Sequence, residues 1–95
     1  MATIGVLTLE LSIEDAHSLK DKRHVVESLK NRLRNKFNVA VAEIDHQDAW
    51  QRATIAAVTV SCDHVHAEKV LAAVEGEAAA LLGRSLADAT VEWIS

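Results

Sequence analysis

The chain is poor in the residues that mark irregular or cross-linked proteins. It has no proline, only 3 glycines and one cysteine, which excludes collagen-like, low-complexity and loop-rich sequences. The lone cysteine, Cys62, cannot form an internal disulfide. Aromatic residues make up only 3% of the chain, and no pair of aromatic strand motifs is present with which a sheet could stack RNA bases. The sequence therefore indicates a domain held together by packing rather than by cross-links.

Long hydrophobic runs are missing as well. The longest aliphatic run covers residues 78–82, whereas a membrane-spanning helix needs about 18 apolar residues. The sequence starts MATIGVLTLELS and has neither the basic start nor the continuous apolar stretch of a secretory signal. We therefore expect a cytoplasmic protein without a membrane partner.

The composition that is present suits one small globular unit. Apolar residues make up 49% and charged residues 25% of the 95 residues, and a chain of this length buries roughly 65% of its unfolded surface on folding. No linker-like or repeated segment interrupts the sequence. We expect residues 1–95 to form a single domain.

The spacing of apolar residues predicts the first two elements. Residues 4–13 alternate between apolar and polar side chains, which is typical of a strand with one buried face. Ser18 and Asp21 resemble a capping box, so a helix of about 18 residues should begin near Leu19. Its apolar residues recur at helical spacing and form one stripe. This stripe consists of Leu19, Val26, Leu29, Leu33 and Phe37.

The rest of the chain continues the same alternation of elements. A period of two predicts strands near residues 39–44 and 54–62, and again at 89–94. Between the last two, Asp63 and Gly83 are suitable caps for a second helix. The resulting order is that of an α+β, ferredoxin-like βαββαβ domain, with a four-stranded antiparallel sheet and two helices on one face.

The other face of this sheet should be less polar than a fully solvated surface. We expect it to carry Thr8, Glu10 and Ser12 from the first strand, together with Ile55, Ala57 and Thr59 from the third. This composition suggests that the face or an edge strand pairs with a second copy, giving a homodimer.

Charge is distributed unevenly. The net charge is −4, yet residues 19–36 hold seven cations against two carboxylates, which leaves an excess of nine negative charges elsewhere. A basic helix can follow a phosphate backbone. The candidate contacts for RNA phosphates are Lys20, Lys22, Arg23, Lys30, Arg32 and Arg34.

Two alternatives to RNA binding remain open for this helix. The first is a solvated surface on which Glu27 bridges Arg23 and Lys30. A small anion could also bind at the start of the helix, where exposed N–H groups and nearby cations favour negative charge.

The loop between the second and third predicted strands is a candidate partner-binding site, because loops held by rigid strands often carry binding residues. Its members are Gln47, Asp48, Trp50 and Arg52. Trp50 could cover a partner or, alternatively, close the end of the core.

Catalytic and metal chemistry find little support in the sequence. There is no glycine-rich phosphate loop or nucleophile elbow. Cys62, His64 and His66 would share a face only in an extended chain, and a helix starting at Asp63 separates them. We therefore expect no catalytic residues, no metal site, no cofactor and no enzymatic activity.

Four segments carry a family resemblance. They are HSLKDKR at 17–23, SLKNRLRNKFNVAVAEID at 28–45, QDAWQRA at 47–53 and VTVSCD at 58–63. In this order they resemble the YlxP-like family, a bacterial domain of unknown function with a ferredoxin-like fold, over essentially the whole chain.

The resemblance implies a cellular process but no mechanism. Members are commonly encoded near translation initiation factor two and ribosome-binding factor A, which implies a role in translation or ribosome assembly. Our leading hypothesis is therefore a small non-enzymatic protein that contacts ribosomal RNA or a ribosomal subunit through its basic helix, without reading DNA sequence. The alternative is a homo-oligomeric protein-interaction module that binds no nucleic acid.

Overall fold

The computed structural model describes all 95 residues. The elements are β1 (Thr3–Ser12), α1 (Leu19–Lys36), β2 (Ala40–Asp45), β3 (Arg52–Ser61), α2 (His64–Leu82), a 3-10 turn (Gly83–Ser85) and β4 (Leu86–Trp93). The strands form one antiparallel sheet in the order β2-β3-β1-β4. The predicted ferredoxin-like βαββαβ fold is confirmed.

Both helices begin where their capping residues predict. At α1, the Ser18 hydroxyl accepts a hydrogen bond of 3.1 Å from the Asp21 N–H, while the Asp21 carboxylate accepts one of 3.0 Å from the His17 N–H. At α2, the Asp63 carboxylate accepts from the Val65 N–H at 3.0 Å, and Gly83, with φ +56°, ends the helix. Neither helix offers the long apolar stretch that crossing a lipid bilayer requires.

The core lies between the helices and one face of the sheet. It includes Leu7 and Leu9 of β1, Leu29 and Leu33 of α1, and Leu71 of α2, all buried. These contacts fix the two helices over the sheet, α1 beside β2 and α2 over β1 and β3.

Trp93 of β4 completes this layer and depends on a glycine opposite it. A Cβ atom on Gly5 would lie 2.5 Å from the Trp93 ring and 2.8 Å from a Leu71 methyl. Glycine at this position therefore lets the indole lie against β1, next to α2.

The prediction of which β3 residues lie on the open face of the sheet is wrong. Ile55 and Ala57 lie opposite Leu9 and Leu7 of β1, so they belong to the core and not to the open face. Thr59 is buried on the same side. The error has a simple cause, because both faces of this strand are apolar and a shift of one residue exchanges them.

Lys22 is the most unusual core residue. It lies on the buried side of α1 with 1% exposure, so it is not an accessible phosphate contact, which corrects the expectation from sequence. Its Nζ donates to three main-chain carbonyls, those of His46 at 2.6 Å, Gln47 at 3.2 Å and Arg52 at 3.2 Å. It also lies 2.8 Å from Glu43 Oε2.

Glu43 Oε2 has no other hydrogen-bond donor, and it lies nearer to the Lys22 ammonium than two of the three carbonyls do. Four acceptors therefore share the three protons of the ammonium group. The ion pair and the carbonyl bonds together tie α1 to β2 and to both ends of the loop that connects β2 with β3.

A further ion pair network joins the two helices. Glu77 of α2 accepts from Arg32 at 3.0 Å and from Lys36 at 2.7 Å. The hydrogen bonds from Lys36 and Arg32 lower the pKa of Glu77 below its ordinary value of 4.5. The last turns of α1 are thereby held against the middle of α2.

Replacing Lys22 with methionine should strongly destabilise the protein. Lys22→Met leaves buried carbonyls and the Glu43 carboxylate without their cation, and breaking one side of a buried pair costs about 3–5 kcal/mol. Urea unfolding followed by circular dichroism measures this loss. Lys20→Met, on the exposed side of the same helix, serves as the control and should change stability by less than about 0.5 kcal/mol. A loss at Lys22 as small as that of the control would contradict the proposed role.

The Glu77 network should make stability depend on pH. Because the folded-state pKa is lowered, the contribution is complete above the ordinary carboxyl pKa and is lost as pH falls through the folded value. The difference in melting temperature between wild type and Glu77→Gln should therefore be largest near neutral pH and shrink as pH falls below 4.5. A difference that stays constant down to about pH 3 would refute this assignment.

Candidate functional site

The cations of α1 lie on two sides of the helix, as their spacing predicts, but differ in their availability. On the side facing α2, Arg32 is paired with Glu77. On the opposite side, Lys30 lies 3.4 Å from Glu27. Glu27 does not bridge to Arg23 as well, so only half of the expected carboxylate bridge forms.

Lys20 and Arg23 are the most available cations of α1. Both are exposed and neither forms an ion pair. They line a shallow depression along the exposed side of α1 together with four other residues, none of them hydrophobic. These other residues are His24, Glu27, Ser28 and Asn31.

Arg34 contacts the main chain instead of a carboxylate. Its guanidinium donates a hydrogen bond of 3.0 Å to the main-chain carbonyl of Val41 in β2. This bond leaves the positive charge uncompensated by a carboxylate, but it draws the side chain over an edge strand of the sheet. Of the six predicted phosphate contacts, the structure thus brings Lys20, Arg23 and Arg34 to the surface without a carboxylate partner.

The connecting loop is rigidly positioned. Lys22 holds the carbonyls of His46 and Gln47, and His46, with φ +63°, donates its N–H to the Asp45 carboxylate at 2.8 Å. On the other side, the Gln51 side chain donates to the carbonyls of Glu14 and Ala16, each at 3.1 Å.

The structure brings together three of the four predicted partner-binding residues of this loop. Asp48, Trp50 and Arg52 line one shallow depression beside His17. Trp50 is 53% exposed, so it does not close the core. Gln47 contributes its carbonyl to Lys22 but does not line the depression.

The sheet face opposite the helices, here called the open face, carries a contiguous apolar patch. Val6 of β1 lies beside Val58 of β3, and Val58 lies beside Ala40 of β2. A neighbouring row contains Ile4 and Val60. We define the apolar patch by the residues Ile4, Val6, Ala40, Ala42, Ala56, Val58, Val60 and Ile94.

The charged side chains that border the apolar patch lie on β4 and at the adjoining end of β1. Glu10 and Asp88 are directly opposite one another, and Glu92 is opposite Val6. Thr54 donates to the Glu10 carboxylate at 3.1 Å. The open face is therefore apolar over the patch on β1, β2 and β3, and acidic along β4 and at Glu10 of β1.

Of the two histidines near Cys62, only His64 contacts other side chains. The His64 ring packs against Trp93 in a tilted arrangement with ring centroids 4.2 Å apart. Its ring nitrogens lie 2.8 Å from Glu68 and 3.2 Å from the Thr3 hydroxyl. Cys62 and His66 are exposed. No group of three or more His, Cys, Asp or Glu side chains is arranged to hold a metal ion.

Solved structures with this arrangement share its fold at low sequence identity. The designed protein Foldit4 matches with a TM-score of 0.62 and 10% identity, covering 100% of this chain and 98% of its own. A dimeric ferredoxin-like protein of unknown function from Thermobifida fusca YX matches with a TM-score of 0.51 and 15% identity, covering 97% and 91%. These similarities describe the fold alone.

Sequence comparison identifies the family of the chain. An uncharacterized protein, YlxP of Bacillus subtilis (strain 168), is 46% identical over 68 residues, which cover 72% of this chain and 74% of YlxP. The model of a family described as a protein of unknown function (DUF503) matches residues 4–90. The chain therefore belongs to the DUF503 family and is YlxP-like.

Proposed function

We propose that the protein is a non-catalytic cytoplasmic interaction module whose open face binds the open face of a second copy. The observation that carries this proposal is the apolar patch, which spans three neighbouring strands without a charged residue inside it. Large exposed apolar patches on a sheet commonly mark protein interfaces. Because the patch itself carries no charge, it can pair with itself around a two-fold axis while the carboxylates of Glu10, Asp88 and Glu92 stay at the margin of the interface.

The size of the apolar patch suits a weak pair. Of the strands that carry it, β1 and β3 have 10 residues each and β2 has 6, so at about 3.3 Å per residue and 4.8 Å per strand they span about 400 Å². Covering this area on two copies removes about 800 Å² from water, which is the size of a weak, transient interface. Two of the patch residues, Val60 at 58% and Ile94 at 61%, are strongly exposed in the single chain.

The comparisons give further support of a limited kind. The similar protein from Thermobifida fusca is described as dimeric, so the same architecture supports self-association elsewhere. The chemistry of the patch also disfavours nucleic acid as its occupant, because it presents neither cations nor aromatic rings for stacking.

A matched pair of valine substitutions tests the dimer. Val60 on the open face and Val65 on α2 are almost equally exposed, at 58% and 59%. Val60→Glu should weaken self-association by at least about tenfold, or about 1.4 kcal/mol, because it places a carboxylate against the partner's apolar patch. Val65→Glu should leave association unchanged.

Light scattering after size exclusion provides the measurement. Wild type should show twice the chain mass of 10.3 kDa. Val58→Thr, which keeps the shape of the side chain at the centre of the patch, should also weaken the dimer. A wild type that remains monomeric at about 100 μM would refute the proposal, since that concentration is enough to populate a dimer of micromolar affinity.

A second candidate function, contact with RNA or a ribosomal subunit, is supported by the free cations of α1. Lys20 and Arg23 form no ion pair, and Arg34 reaches only a carbonyl. These three charges lie on one side of the helix and could neutralise phosphates. Because Lys22 is buried and Arg32 is paired with Glu77, this surface is smaller than the sequence suggests.

Co-sedimentation with ribosomal subunits across a salt series tests this second candidate. With about three phosphate contacts, log affinity should fall with log salt at a slope of roughly −2. Lys20→Glu/Arg23→Glu should reduce binding about tenfold or more, whereas Lys69→Glu/Arg84→Glu removes the same charge elsewhere and should have little effect. Equal losses in both double variants would show that only the overall charge matters.

A further inference from the structure

The two edges of the sheet differ in their protection. Edge strands expose unpaired N–H and C=O groups and are usually shielded by short length, bulges or cations. β2 has 6 residues, an irregular register near Glu43, and the Arg34 guanidinium on the carbonyl of Val41. β4 is 8 residues long, pairs only with β1, and has its one irregularity of register near Ala87, so that Asp88–Trp93 form a regular edge. It contains neither lysine, arginine nor proline.

A groove with an apolar floor lies beside this unprotected edge. It has a volume of about 370 Å³ and is lined by Leu71, Ala72, Val91 and Trp93, with Glu68 and Glu75 at its rim. Val91 is 45% exposed. The groove is on the helix side of β4 and could receive apolar side chains from a strand added at the edge.

The other side of the same strand is acidic. Asp88 lies directly opposite Glu10, and Glu92 lies two rows away. None of these carboxylates has a lysine, arginine or histidine within 4.0 Å. Like charges directly opposite one another in a sheet are unfavourable, so a cation placed beside them would relieve the repulsion.

We propose that the β4 edge binds an extended cationic peptide as an added strand. Side chains of a strand alternate between the two faces, so lysine or arginine at every second position would meet Asp88 and Glu92. The intervening aliphatic residues would enter the groove beside Val91. Main-chain hydrogen bonds give affinity in this mode of recognition, and alternate side chains give specificity.

Charge selects this occupant over a second copy of the chain. Antiparallel pairing of two β4 edges would bring the Asp88 and Glu92 carboxylates of both copies to the same junction, which is unfavourable. A cationic strand instead compensates them. Asp88 and Glu92 lie on the β4 margin of the open face, beside the apolar patch, whereas the groove and the main-chain groups of the edge lie outside that face. A dimer that covers only the apolar patch leaves this site accessible, so the proposal does not depend on the dimer.

Fluorescence anisotropy with an eight-residue labelled peptide, acetyl-(Lys-Val)4-amide, tests the proposal on the intact protein. (Glu-Val)4 reverses the charge, while (Lys-Pro)4 keeps the charge and removes half of the main-chain donors. Only (Lys-Val)4 should bind well. Asp88→Asn/Glu92→Gln and Val91→Lys should each weaken its binding by at least about tenfold.

A matched control removes the same charge at the far side of the sheet. Glu27→Gln/Asp48→Asn lies on α1 and the β2–β3 loop and should leave the peptide affinity unchanged, with circular dichroism confirming that every variant is folded. Equal binding of (Lys-Pro)4, or equal loss in the control, would overturn the proposal. The proposal would also be overturned if the wild-type protein forms a dimer that Val91→Lys abolishes and binds no peptide. The edge would then pair with a second copy.

Discussion

The burial of the Lys22 ammonium constrains much of the structure around it. A charge removed from water must find nearly complete compensation inside the protein. Here three carbonyls and the Glu43 carboxylate provide it. Because those groups belong to β2, to the following loop and to the first residue of β3, the ammonium fixes the position of all three relative to α1. The left-handed backbone at His46 belongs to the same arrangement.

The sequence predicts the elements better than it predicts this interaction. The helix ends follow from local hydrogen bonds of Ser18, Asp21 and Asp63, which depend only on near neighbours. Lys22, in contrast, does not differ by charge from the other cations of α1. Its spacing carried the missing signal, since it lies three residues after Leu19 and four before Val26, within the apolar stripe.

Glu43 carries a similar signal two residues after the buried Val41. In a strand, this spacing places a carboxylate on the core face, and a buried carboxylate requires a cation. Spacing alone cannot state which cation reaches it, because that depends on where α1 crosses β2. The face of β3 was also beyond prediction, because its apolar residues fit either register. Pairing with Leu7 and Leu9 decides between them.

The placement of charge also explains why a basic helix does not make a uniformly basic surface. Lys22 stabilises the interior, Arg32 and Lys36 join α1 to α2, and Arg34 covers the β2 edge. These internal roles leave few cations for a partner on that side. No comparable cation serves β4, whose acidic side remains uncompensated. A cation of α1 therefore shields the β2 edge of the sheet, whereas the β4 edge stays open. The charge beside the β4 edge is opposite in sign to that of α1.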